Sequence, residues 1–208
     1  MEPRSVPTDW PSAFENDPAV IYALNGDFRL TYCNAAWDRF AAGNGGTDDL
    51  LRDRQIGRSV LDVTPPPLRL FYAALFAGAL ESTAGINHIY ECSSAEIQRK
   101  FHMHLHRIDE PGPGPLLLVT NSLILETPHQ SPAADPHESL RQPGGLITMC
   151  AHCRRTLVPD SKGLWVWIPD LVRRMPREIS HGLCDVCYQV HYGKFIRKQI
   201  PHRSSSQI

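Results

Sequence analysis

Two Cys-x-x-Cys pairs, Cys150-Ala151-His152-Cys153 and Cys184-Asp185-Val186-Cys187, constrain this chain more than any other feature. A two-residue gap lets both sulfurs of a pair turn toward one ion, and two such hooks supply the four thiolates of a closed tetrahedral site. The thirty residues between the hooks then form a loop that the ion closes. The expected metal is structural Zn²⁺ held by Cys150, Cys153, Cys184 and Cys187. His181, three residues before Cys184, is the alternate ligand or an outer contact, and His152 inside the first hook is expected to point away from the metal. A closed site leaves no position for water, which argues against zinc hydrolysis.

The length of 208 residues accommodates one packed domain of about 110–130 residues and a smaller one that needs a staple. The N-terminal Met-Glu-Pro-Arg-Ser-Val-Pro has no apolar signal core, so a cytoplasmic, reducing location is expected, where six cysteines argue for metal rather than disulfides. No stretch reaches the roughly 20 apolar residues of a membrane span; Leu68 to Leu80 is too short and contains Arg69. The net charge of -1 hides an asymmetry. Residues 1–144 carry 11 Lys and Arg against 18 Asp and Glu, whereas residues 145–208 carry 10 against 4, so the parts stand at -7 and +6. Charge alone does not choose between nucleic acid, an acidic partner and the acidic body as the counterpart of the basic part.

Residues 1–13 read as a leader rich in proline, with order beginning near Phe14. Ala19 to Leu24 and Phe28 to Cys33 flank the turn Asn25-Gly26-Asp27 and predict a β-hairpin. Asn34 stands as an N-cap before a short helix bearing Trp37 and Phe40, closed by Gly43-Asn44-Gly45-Gly46. A second helix is predicted from about Pro67 to Glu81, with Leu70, Leu75 and Ala79 or Leu80 as its apolar stripe. Three strands follow at Asn87 to Cys92, Gln98 to Ile108 and Leu116 to Leu125. Residues 127–145 read as a linker, 146–200 as the metal-binding module and 201–208 as a tail.

This order predicts an α+β domain over residues 14–126, a five-stranded antiparallel sheet with helices on one face. The segment resembles the PAS family of bacterial sensor domains. The resemblance is carried by Gly26-Asp27-Phe28-Arg29-Leu30-Thr31-Tyr32-Cys33-Asn34-Ala35-Ala36-Trp37-Asp38-Arg39-Phe40, by Ile56-Gly57-Arg58-Ser59-Val60, and by Arg99, Phe101 and Met103. It implies a sensory or protein-interaction domain, often dimeric, whose cavity between sheet and helices takes a ligand that the fold does not name. The Asn-Cys-Arg-Phe helix of the flavin photosensors is absent, because Cys33 precedes Asn34, and no photoadduct is expected. Cys33 and Cys92 read as buried small hydrophobes.

His102, His104 and His106 alternate with Phe101, Met103 and Leu105, which places the three imidazoles on one face of a strand, with His88 able to join them from its neighbour. A haem or metal ligand set and a pH-sensitive dimer surface are the sharper readings. A partly solvated outer sheet face explains the pattern more simply.

The C-terminal composite resembles a segment found on bacterial PAS proteins, response regulators and sensor kinases, which reads Cys-x-x-Cys-Lys-Lys-x-Arg, Gly-Tyr-Trp and Ser-His-Gly-x-Cys-Pro-x-Cys. Here it stands as Cys150-Ala151-His152-Cys153-Arg154-Arg155, Gly163-Leu164-Trp165 and Ser180-His181-Gly182-Leu183-Cys184-Asp185-Val186-Cys187, with Asp185 in place of the usual proline. A helix from Tyr188 to Ile200 is expected to pack Val190, Tyr192 and Phe195 or Ile196 over the metal. The expectation is a bacterial signal-transduction sensor or adaptor with a protein partner. Two alternatives stay open. One is a zinc-finger-like nucleic-acid-binding regulator using Lys194, Arg197, Lys198 and Arg203; the other is a thiol redox protein. No phosphoacceptor helix or nucleotide-binding Gly-rich box is visible, and no enzymatic activity is expected.

Overall fold

The computed structural model describes residues 9–109, 114–129 and 137–193, and the chain divides into two compact units, 1–130 and 131–208. The basic Lys194, Arg197, Lys198 and Arg203 and the apolar Phe195 and Ile196 lie outside the described residues.

The first unit opens with a short helix, α1 (Trp10–Phe14), followed by the hairpin β1 (Val20–Leu24) and β2 (Leu30–Cys33). Asn25 Oδ1 organises the turn by accepting from Asp27 N and Arg29 N at 3.0 Å each. The left-handed residue there is Phe28 (φ 58°), not Gly26, and its ring meets Phe76 at 5.7 Å between centroids. Helix α2 (Ala35–Gly43), a 3₁₀ turn (Asp48–Leu50), α3 (Arg52–Gln55) and α4 (Pro66–Glu81) come next, then β3 (Ile86–Glu91), β4 (Ile97–Ile108) and β5 (Leu116–Pro128). The five strands form one antiparallel sheet in the order β2-β1-β5-β4-β3.

Period-two alternation sorts the sheet into two faces. Leu24, Leu117, Met103 and Leu105 point to the helical side, where Leu68, Phe71, Leu75, Phe76 and Ala79 of α4 close the core. Arg107 Nη1 donates to Leu80 O at 2.7 Å, placing a cation where the helix dipole leaves negative charge. Leu70 is 85% exposed and falls outside the expected stripe, because a helix apolar on most sides offers several stripes and packing selects one.

On the opposite face Trp10 is buried with Ile21, Ala23, Ile108 and Leu118 and meets Tyr32 edge-on at 5.1 Å. Order therefore begins earlier than Phe14, since burying an indole outweighs the proline content of the leader. Asn34 is also corrected. It occupies the N-cap position, yet its side chain makes no cap bond. Its Oδ1 accepts from Ile21 N at 3.0 Å, and its Nδ2 donates to Phe14 O at 3.1 Å and Ala19 O at 2.9 Å, tying α1, β1 and α2 together from a fully buried position.

The second unit reaches back into the expected linker. Leu140, in a 3₁₀ turn (His137–Leu140), is buried with Ile147, Met149, Ile168 and Leu171. Its sheet runs β8-β7-β6-β9, from β6 (Ile147–Cys150), β7 (Thr156–Leu157), β8 (Trp165–Val166) and β9 (Ile179–Gly182). Helix α5 (Pro169–Arg173) follows β8, and α6 (Asp185–Cys187) runs into a π-helical stretch, Tyr188–Tyr192. Among the described residues no helix is long and apolar enough to cross a membrane.

Candidate functional site

The two cysteine hooks meet because β6 and β9 are parallel neighbours. Cys150, the last residue of β6, is paired with Gly182, the last of β9, so each strand delivers its hook to the same end of the sheet. Ala151 N donates to Gly182 O at 2.8 Å and extends that pairing into the first hook. The first hook turns back through Arg154 N to Cys150 O (2.9 Å) and Cys150 N to Arg155 O (2.8 Å), with Arg154 in the left-handed region at φ 61°. The second hook lies at the start of α6, and Cys187 N donates to Cys184 Sγ at 3.4 Å.

Cys150, Cys153, Cys184 and Cys187 are all buried, none is in a disulfide, and their sulfurs lie within 4.8 Å of one another. Cys153 and Cys184 Sγ are 3.7 Å apart, and Cys184 N donates to Cys150 Sγ at 3.4 Å. Hydrogen bonds from Cys153 and Cys187 hold the Cys150 thiol far below its ordinary range. The same sharing raises its partners: Cys153 is pushed up to about 12 and Cys187 higher, in both cases first through the bond to Cys150. Such a group of sulfurs can hold a metal ion, which replaces the shared protons with one divalent charge.

His181 is not part of this group; it lies in β9 opposite Met149. His152, expected to face away, turns toward the sulfurs instead. Its Nδ1 lies 3.8 Å from Cys187 Sγ, and its ring stacks on His191 at 4.0 Å. The hook buries residue 152 against the π-helical stretch, beside His191 and Tyr192. Trp165 and Leu183 pack against the cysteines, while Val190 is 62% exposed. The expectation for Val190 followed a regular helix, and the π-helical stretch rotates it outward.

In the first unit, the sequence reading missed the residues that line a cavity of about 300 Å³ between α2, the 3₁₀ turn and the sheet. Tyr22, Trp37, Phe40 and Tyr90 supply its aromatic walls, and Asn44 and Asn121 its amides. Tyr22 meets Trp37 edge-on at 5.6 Å. Tyr90 OH donates to Asn121 Oδ1 at 2.9 Å, and Asn121 Nδ2 donates to Val20 O at 3.2 Å. Burial raises both phenols well above their ordinary value. These positions are scattered over four elements, and only the Trp37 and Phe40 pair on one short helix hinted at a shared surface.

The three alternating histidines lie on the other face of the sheet. Asn87 Oδ1 stands 2.8 Å from His102 Nε2 and 3.0 Å from His104 Nδ1. His88 does not join them. It pairs with Met103 and faces the helices, with Phe71 at 5.2 Å and Tyr90 stacked at 6.3 Å. Among the described residues no histidine lines the cavity.

No family model matches this chain, and no curated protein does either. Solved PAS domains do match part of it. The PAS domain of Bordetella pertussis BvgS is 14% identical, with 55% of this chain and 83% of that one covered and a TM-score of 0.44. That of an HTR-like protein from Haloarcula marismortui is 20% identical, with 55% and 88% covered and a TM-score of 0.37. The PAS domain of nitrogen regulation protein NR(II) from Vibrio parahaemolyticus is 17% identical, with 56% and 100% covered, again at 0.37. The chain combines a five-stranded antiparallel domain with a small module built around four buried cysteines.

Proposed function

We propose that this protein is a signal-transduction sensor or adaptor. Its PAS-like unit takes up a small molecule, and its second unit, stapled by structural zinc, docks on a protein partner. The observation that carries the reading is the pairing of a ligand-sized cavity in one unit with a closed four-cysteine group in the other. Four sulfurs at the Zn–S distance of about 2.3 Å around one ion stand about 3.8 Å apart, and the 3.7 Å between Cys153 and Cys184 supports that fit. Zinc held by Cys150, Cys153, Cys184 and Cys187 would contribute folding energy to a small core rather than catalysis, and no catalytic role is assigned. Homodimerisation through the PAS-like unit belongs to the same reading.

A second reading is favoured by the +6 charge of residues 145–208 counted from the sequence, which would suit nucleic acid. Elemental analysis of the purified protein and of Cys184→Ser tests the metal assignment. One equivalent of zinc, lost in the variant, is the expected result. Reversible thiol oxidation without metal would establish the redox alternative instead. Partner capture at rising salt separates protein from nucleic acid, whose affinity falls steeply.

A further inference from the structure

The cavity of the PAS-like unit restricts its occupant more closely than the fold does. We propose that it binds a small, uncharged aromatic molecule of one or two fused rings that carries a single hydrogen-bonding group. This inference rests on the sensor reading given above and names the ligand class of that site.

Size sets the first limit. At about 300 Å³ the cavity is at the lower end of the range for small-molecule sites, roughly 300–1,000 Å³. The walls set the second. Tyr22, Trp37, Phe40 and Tyr90 present ring faces and edges, which favour a flat aromatic guest by stacking and edge contacts.

Charge sets the third limit, because no Lys, Arg, His, Asp or Glu among the described residues lines the cavity. Both phenols stay protonated through the neutral range, since burial raises them. A cation behind the wall, Arg99, reaches Asn44 Oδ1 at 2.7 Å but already pairs with Glu126 Oε2 at 2.6 Å. A carboxylate or phosphate inside the cavity would therefore be desolvated without a counter-charge. That disfavours any guest whose charged group lies inside the cavity.

The wall meets much of its own hydrogen-bonding capacity, and one corner keeps an open acceptor. Asn44 Nδ2 donates to Phe40 O at 2.7 Å, and Trp37 Nε1 donates to Leu50 O at 2.8 Å, so these groups are engaged within the wall. The phenolic oxygen of Tyr90 keeps lone pairs after donating to Asn121 Oδ1, whereas Asn121 Nδ2 is shared between Val20 O and the Tyr22 hydroxyl. One guest hydroxyl or ring N–H satisfies that corner.

The test is calorimetric titration of the full chain with phenol, with indole and with benzoate, which keeps the ring of phenol and adds a charge. Phenol and indole should each bind at one saturable site, with benzoate weaker by about tenfold or more. Ala41→Leu places extra carbon in the cavity and should abolish binding without lowering the thermal midpoint, which separates a filled site from a misfolded one. Benzoate binding as tightly as phenol, or no saturable binding of either neutral probe, overturns the proposal. The sensor reading fails separately. If Ala41→Leu leaves the transcriptional response of cells carrying the gene unchanged, the cavity is no input. If it alters that response while neither neutral probe binds, only the ligand class is wrong.

Discussion

Arg99 joins the wall of the cavity to the end of the sheet: its Nη1 donates to Asn44 Oδ1 at 2.7 Å, while its Nε donates to Glu126 Oε2 at 2.6 Å in the last strand. The Arg99 side chain is largely buried and that of Glu126 about half exposed. Arg99→Ala leaves Asn44 and Glu126 without their donor and should cost about 2 kcal/mol in urea unfolding. Arg99→Lys cannot reach both acceptors and should recover only part of that loss. Glu126→Gln, altering the more exposed partner, should cost less than about 1 kcal/mol. Equal losses for Arg99→Ala and Glu126→Gln would show that the Asn44 contact contributes nothing.

Asn34 should be among the most sensitive polar positions of the first unit. Asn34→Ala leaves Ile21 N and the carbonyls of Phe14 and Ala19 without these partners in a fully buried setting, which should cost about 3 kcal/mol. Asn34→Asp keeps the acceptor, loses the donors and buries a carboxylate beside two carbonyls, so it should be no better than alanine. A loss below about 1 kcal/mol for Asn34→Ala, read from the urea midpoint, would refute this account.

What the sequence revealed depended on whether the signal was local. The cysteine hooks were legible because a two-residue gap fixes the geometry within each pair, and the alternation of His102, His104 and His106 with Phe101, Met103 and Leu105 was legible because a strand has period two. His88 was misplaced because its facing residue, Met103, is set by cross-strand register, which its own neighbours in sequence do not encode. Asn34 marked the right helix start for a different job, since its partners at Ile21, Phe14 and Ala19 are brought to it only by the fold. The cavity was invisible for the same reason: Tyr22, Asn44, Tyr90 and Asn121 share no segment.

Acid should weaken the first unit through His104 on the outer face. The His104 imidazole is held below its ordinary value of 6.5 by burial first, then by His106 and His102; Asn87 on β3 and Thr120 on β5 face it without charge. Between 6.5 and the lower folded value the unfolded chain binds a proton that the folded chain does not, so stability rises with pH across that window and is lost as pH falls through it. His104→Gln should flatten the dependence of the urea midpoint below pH 6.5. A slope as steep as that of the unmodified protein would place the effect elsewhere.

Metal removal should act on one unit. The second unit has a small apolar core around Ile147, Met149 and Leu171 beside the four cysteines, whereas the first has a full sheet-and-helix core. A strong zinc chelator should therefore abolish the unfolding transition of the second unit, followed by near-ultraviolet circular dichroism, and leave that of the first in place. His181→Ala should retain the metal, because His181 lies outside the sulfur group in β9, and Cys184→Ser should behave like the chelated protein. Loss of metal from His181→Ala equal to that from Cys184→Ser would make the histidine a ligand and give the site three sulfurs and one nitrogen.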